Sequence, residues 1–213
     1  MEDIQHIREN TNIIGAGGLG REIVSWMKFD AKNIYDVLGF WDDTFDPLAK
    51  YNINLGVLGK ITDFNSGNLH IGIMDTAVKR RIFEAFSQNP QIKICKYIHS
   101  SVIIGDRTEI GTGVILFPKV IVSCDVQIGE GTFINLGSQI GHDVNIGKYV
   151  SIMPNVDLGG GCTIEDGVFI GSGATLLPGV TIAKNTRIGA GSVVLKSIKK
   201  EGTYFGNPAK KIF

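Results

Sequence analysis

The sequence has no excess of either charge: 21 Lys plus Arg face 21 Asp plus Glu across 213 residues, a formal net charge of zero. Without a basic surplus there is no general attraction for nucleic acid or anionic lipid, so neither is expected as a partner. No apolar run approaches the roughly 20 residues of a membrane-crossing helix, and the N-terminus has no basic segment followed by an apolar stretch. The expectation is a soluble, cytoplasmic protein with no membrane contact. Cysteine is also scarce. Cys95, Cys124 and Cys162 are odd in number, lack CxxC spacing and are too sparse for a disulfide scaffold, which points to reduced thiols. What is abundant is glycine: 28 residues, too many for a helical protein, and a reason to look for repeats. With 43% hydrophobic residues the chain can bury a sizeable core, as one ordinary domain or two small ones.

From Ile98 an aliphatic residue returns every six positions, through Ile104, Ile110 and Leu116 to Val194, giving seventeen hexads without a slip. Four residues after each comes a second inward candidate, mostly small or β-branched, as in Val102, Thr108, Val114, Ser138, Cys162 and Ile198. A helix would spread these aliphatics around its circumference, and glycines such as Gly105, Gly111 and Gly129 directly behind them would each cost about 1 kcal/mol. Short strands with tight corners account for both patterns. Three hexads close a triangular coil of 18 residues, so the array forms a parallel β-helix of nearly six coils. At about 4.8 Å per coil this is a prism on the order of 27 Å long. Residues 18 apart then lie above one another, and the glycines are expected at corners that need positive φ or close backbone approach. A filled prism has no interior pocket. Function must therefore come from corner side chains and from grooves between copies.

Of four histidines, only His99 and His142 lie in the repeat. His142 stands two residues after Ile140 on a corner, beside Asp143, where neighbouring side chains can face the same way. An imidazole next to a carboxylate has the makings of a general base held in one tautomer; an exposed histidine with no role fits the same residues. Eighteen residues on, Gly160 in Leu158-Gly159-Gly160-Gly161 should place a bare backbone N–H one coil above. Such a donor can receive a developing oxyanion, and the three glycines equally permit a tight corner. Cys124, 18 residues before His142, is the only thiol near it by the same arithmetic, and nothing in its hexad suggests thiolate stabilisation.

In front of the repeat, a strand end leads into Gly15-Ala16-Gly17-Gly18-Leu19-Gly20, and Arg21 to Phe29 have helical spacing. A second strand, Val37 to Trp41, ends at Asp42 and Asp43, and a further one spans Leu69 to Ile73. A glycine turn at a helix N-terminus presents N–H groups to an anion, and an acid after the second strand suits a ribose hydroxyl. Residues 1–97 supply only about half of a dinucleotide fold. Lys79, Arg80 and Arg81 on an expected helix suit either a diphosphate or a solvated face, and the first ten residues carry no usable pattern.

The Gly-rich front, Ile98-His99-Ser100, Asn135 seven residues before His142-Asp143, and the closing Gly206-Asn207-Pro208-Ala209-Lys210 resemble the nucleotide-sugar acetyltransferases of the PglD/NeuD type, in the hexapeptide-repeat transferase superfamily. The resemblance implies an α/β half-Rossmann domain (1–97), a left-handed parallel β-helix (98–199) and a C-terminal tail (200–213). It also implies a homotrimer with sites between adjacent prisms, acetyl-CoA as cosubstrate and no metal. In that family the residue matching His142 takes a proton from the amine of a nucleotide-linked 4-amino-deoxy sugar as it attacks the thioester, supported by an acid, here Asp143. Gly160, Ser172 and Ala190 match positions along the CoA groove, and Ser151 stands where relatives carry a second histidine at the acetyl end. The nucleotide sugar is assigned to Gly17, Gly18, Leu19, Asp42, Asp43 and Asn135. Departures include Gly17 and Leu19, where Ser and His are common, and Met74-Asp75-Thr76, where relatives place a glycine first. Enzymes that acetylate a sialic acid hydroxyl look alike at this level. A γ-type carbonic anhydrase would need three histidines for zinc, and a non-catalytic assembly subunit needs only the scaffold.

Overall fold

Ile13 and Ile14 are fully buried on β1 (Glu9–Ile14), the middle strand of a five-stranded sheet. The structure, a computed structural model, describes residues 8–213, so most of the N-terminal decapeptide lies outside the described residues. After β1 come α1 (Gly18–Phe29), β2 (Tyr35–Trp41), β3 (Val57–Gly59), β4 (Gly67–Ile71), α2 (Thr76–Ser87) and β5 (Ile92–Ile94). Every pair is parallel in the order β3-β2-β1-β4-β5. Strand order reverses between β1 and β4, which sets a ligand crevice beyond their C-terminal ends. The expected elements are present with shifted bounds: β2 starts at Tyr35, β4 covers Gly67–Ile71 rather than 69–73, and α1 begins at Gly18. Asp75 caps α2 by accepting the Ala77 and Val78 amides at 3.0 and 2.9 Å.

From Tyr97 the chain lays down two-residue strands every six residues, from Tyr97–Ile98 to Val193–Val194, stacked in three parallel sheets. The register is 18 residues: Phe133 pairs with Ile115 and Ser151, Gln139 with Ile121 and Asp157, and Gln127 with Glu109 and Asn145. The tail adds Thr203–Phe205, parallel to Arg187–Ile188, and antiparallel Lys210–Lys211. Inward aliphatics are buried from Val114 to Ile198, whereas Ile104 in the opening coil stays 40% exposed. Inward hydroxyls bridge successive coils. Thr132 Oγ1 donates to Gly147 O at 2.9 Å and accepts Val150 N–H at 3.1 Å, and Ser138 does the same with Met153 O and Val156 N–H at 3.0 and 3.2 Å. Left unpaired, each hydroxyl would cost about 1–3 kcal/mol.

The corner glycines divide into two registers, which refines the single role expected of them. Those directly after an aliphatic have ordinary φ and serve close approach: a Cβ on Gly105 would come within 2.6 Å of Cys124 N. Positive φ falls two residues later, at Gly113, Gly131 and Gly161 but also at Arg107, Asp125, Asp143 and Asn155. Asp and Asn tolerate this left-handed conformation better than most residues.

The three outer faces differ. One presents Tyr97, Ile115, Phe133 and Ser151, all buried beneath the front domain. Here Leu19, Ile23 and Met27 of α1 pack with Tyr97, Ile115, Phe117, Phe133 and Met153, while Phe83 of α2 meets Tyr149. The second face opens with exposed Ile103 and Ile121; the third carries Glu109, Gln127 and Asn145. The front sheet and the prism thus share one apolar seam.

Candidate active site

His142 lies on the edge between the second and third faces, after the strand Gln139–Ile140. Its Nδ1 is 2.7 Å from Asp143 Oδ2, and both side chains are about two-thirds exposed, at 68% and 66%. Asp143 occupies the positive-φ place of the turn, at +58°. The imidazole rests against Gly160, where a Cβ would come within 2.6 Å of Nε2, so glycine alone leaves the ring this position. Gly161 N–H donates to His142 O at 2.8 Å, while among the described residues Gly160 N–H has no backbone acceptor. Turn geometry explains this, because the corresponding places in other coils hold Pro118, Pro154 and Pro178, residues with no N–H to lose. One coil below Asp143, Asp125 is clasped by Arg107 of the coil beneath it through two hydrogen bonds of 2.6 and 2.8 Å. The Arg107 guanidinium holds the Asp125 carboxyl below its ordinary range, with help from Cys124 and the nearby His142.

Ser172 and Ala190 are exposed and stacked, but on the edge between the docked and second faces. A single chain therefore does not bring them to His142. Asn135 lies on that same distant edge, 8% exposed, with its Oδ1 accepting Leu136 N–H at 2.7 Å. Ser151 is fully buried in the domain seam, bonded to Lys79 Nζ and Met74 O, so its assignment to the acetyl end is corrected. Serine packs there because the docked face covers that rung.

At the front crevice, Gly17 and Gly18 are exposed, and a Cβ on either would meet nothing within 4 Å. Gly17 opens α1 with no side-chain cap, leaving the first-turn amides for an anion. The Leu19 side chain is 5% exposed and packs into the seam, which leaves only its first-turn amide, and not its side chain, for the substrate. Asp42 Oδ2 accepts Ala16 N–H at 2.7 Å and Oδ1 accepts Thr44 N–H at 2.8 Å. Burial pushes the Asp42 carboxyl up, but these hydrogen bonds outweigh it and hold the group below its ordinary value. Asp43 Oδ1 accepts Ile61 N–H at 2.9 Å. Both acids therefore brace the crevice, with lone pairs to spare.

The close-approach glycine sought at position 74 is present two residues earlier. A Cβ on Gly72 would come within 2.6 Å of Gly20 Cα, so β4 meets α1 backbone to backbone. Sequence reasoning also passed over Arg21, whose Nε donates to Gly17 O at 3.2 Å and whose guanidinium lies 3.5 Å from the Tyr51 ring centre. An arginine right behind a glycine turn was the available signal. Lys79 meets neither a diphosphate nor solvent, and Arg80 reaches Asn185 Oδ1 at 3.4 Å. Among the described residues no group of three or more His, Cys, Asp or Glu is placed to hold a metal, and no helix is long and apolar enough to cross a membrane.

Residues 161–196 match the family described as bacterial transferase hexapeptide (six repeats). A search among curated proteins gives no match. Among solved structures, the acetyltransferase domain of PglB from Neisseria gonorrhoeae FA1090 shares the fold at a TM-score of 0.86, with 24% identity over 96% of this chain and 100% of that one. PerB from Caulobacter crescentus, solved in complex with CoA and GDP-perosamine, superimposes at 0.83 with 25% identity, covering 95% of this chain and 96% of its own. WeeI from Acinetobacter baumannii AYE follows at 0.79 and 26%, over 95% and 99%. The chain thus has the two-part fold of these acetyltransferases, and over residues 161–196 its repeat is that of the bacterial hexapeptide transferases.

Proposed function

We propose that the chain transfers the acetyl group of acetyl-CoA to the amino group of a nucleotide-linked amino sugar. The observation that carries this reading is the His142-Asp143 pair, 2.7 Å apart and seated on Gly160 at an exposed edge. With Nδ1–H donated to Asp143, Nε2 is free to accept a proton. The amine nitrogen attacks the thioester carbonyl carbon, and Nε2 takes its proton. Gly160 N–H donates to the resulting oxyanion, the C–S bond breaks, and the thiolate leaves with the proton held on the imidazole.

The groove for CoA requires a second copy. The His142 edge and the Ser172–Ala190 edge both border the second face. Three copies with their second faces towards a common axis set the His142 edge of one beside the Ser172 edge of the next. Ile103 and Ile121, 62% and 43% exposed, supply the apolar surface that such a homotrimer would cover. Along the His142 edge, Lys196 lies three coils further, about 14 Å along the axis. It borders a 770 Å³ depression also lined by Lys199, Lys200, Lys210 and Lys211, and none of the five has a carboxylate partner among the described residues. Their charge suits the phosphates of CoA. At the other substrate site, Gly17, Gly18 and Arg21 suit a nucleoside diphosphate, as does the GDP-perosamine held by PerB.

The test is thiol release from acetyl-CoA with a panel of UDP-, dTDP- and GDP-linked 4-amino sugars. Turnover is expected with one of them and should fall by about 10²–10⁴-fold in His142→Ala. A variant that keeps most of its activity would remove His142 as the base, and turnover confined to hydroxyl sugars would move the acceptor from nitrogen to oxygen.

A further inference from the structure

Two of the departures from the resembled pattern, Met74 and Ser151, touch each other. Ser151 Oγ donates to Met74 O at 2.8 Å and accepts from Lys79 Nζ at 2.9 Å, and the same ammonium donates to Val150 O at 2.9 Å. Lys79 is 2% exposed and Ser151 is fully buried, so neither can touch a substrate. No carboxylate bonds to this ammonium among the described residues, and Asp75 acts on it only through space. Burying a cation against neutral acceptors is costly, and an apolar side chain of similar volume would fill the seam more cheaply. What the polar cluster adds is geometric definition.

Its location gives that definition a use. Residues 72–75 form the turn between β4 and α2, one wall of the crevice at the strand-order reversal. The wall is held from behind by Gly72 against Gly20, and from below by the hydrogen bond of Met74 O with Ser151. Ser151 lies on the docked face, across the prism from the His142 edge of its own chain, so in the proposed trimer the imidazole that faces this crevice is a neighbouring copy's. A shift of the wall would move a crevice-bound nucleotide, and the sugar it carries, relative to the imidazole, and a displacement of about 1 Å can cost on the order of 10²-fold in rate.

We propose that Lys79 and Ser151 are positioning residues, a clamp that fixes the 72–75 wall against the docked face of the prism so that a nucleotide-tethered sugar arrives within reach of the base. The clamp rests on the function proposed above. Lys79→Met and Ser151→Ala in the full chain separate positioning from general structure. In both, turnover of the nucleotide-linked amino sugar should fall at least tenfold, while KM for acetyl-CoA and the slow acetylation of the same amino sugar without its nucleotide stay unchanged. Hydrogen exchange at the Gly72, Ala77 and Val78 amides, which the wall holds in hydrogen bonds to Ile14 O and Asp75, should quicken at least tenfold. Equal losses with both acceptors, or unchanged exchange at the wall, would overturn the clamp. If the wild-type protein acetylates neither acceptor, the proposed function fails, and exchange at the wall together with calorimetric GDP and UDP affinity decides the clamp alone. Tenfold weaker nucleotide binding in both variants is then expected, and equal affinity would sink it.

Discussion

A side chain on an exposed turn has little to hold its ring, yet His142 is held from two sides. Asp143 fixes Nδ1, and the absent side chain of Gly160 leaves a flat surface for the ring. The glycine is thus a seat for the ring as well as, in the proposed mechanism, an amide donor, and Gly160→Ala separates the two roles because it keeps the N–H. With a Cβ forced to within 2.6 Å of Nε2, the ring must swing away, and kcat should drop by about 10²-fold with acetyl-CoA affinity and melting temperature intact. Steady-state kinetics beside calorimetric CoA binding checks this; turnover within twofold of wild type would show that the ring works from elsewhere. His142, Asp143 and Gly160 were legible in the sequence because an 18-residue coil converts spacing into adjacency. The side chains of Leu19 and Ser151 were misassigned because a residue's place in a motif does not say which way its side chain points, and here both point into the seam.

At the level of elements, the six-residue rhythm was legible because two residues in each hexad point inward, and the first of these places tolerates little besides an aliphatic. The docking face was written in the sequence as well, in Tyr97, Ile115, Phe133 and Phe169, one residue before the aliphatic at every third hexad. It shows only when the outward positions are sorted by coil, since along the chain they interleave with Glu109, Gln127 and Asn145. The attachment through Lys79 was out of reach, because its partners lie 71 and 72 residues away and no local pattern connects them. Its energetics are open to measurement. Burial pulls the Lys79 ammonium down to about 7, with Asp75 opposing the shift. Between pH 7 and its unfolded value near 10.5, the folded chain binds fewer protons than the unfolded one, so this group's contribution to stability grows with pH and is lost as pH falls through 7. Relative to Lys79→Met, the wild-type protein should gain up to about 1 kcal/mol per pH unit across that window. Denaturant melts of both proteins at pH 7, 8 and 9 test it, and a constant difference would show that the buried amine titrates as it does in water.

For the whole molecule, the main consequence of the fold is that one chain carries only half of the proposed active site. His142 and Ser172 stand on different edges, so an isolated prism carries the base without the surface proposed to align the thioester. Replacing both Ile103 and Ile121 by Glu should yield monomers in sedimentation velocity and abolish acetyl transfer, with GDP or UDP still bound by the front domain. Monomers that keep full turnover would place the groove within one chain. The strict 18-residue register also makes the prism a ruler. His142 and Lys196 are spaced by whole coils, so the gap between the acyl-transfer point and the cationic end changes only in steps of about 4.8 Å. A single inserted residue must loop out or throw every later rung out of phase, whereas a whole coil added or removed keeps the phase and resets the length. The scaffold can therefore be regraded for carriers with longer or shorter arms while the chemistry at its zero mark stays untouched.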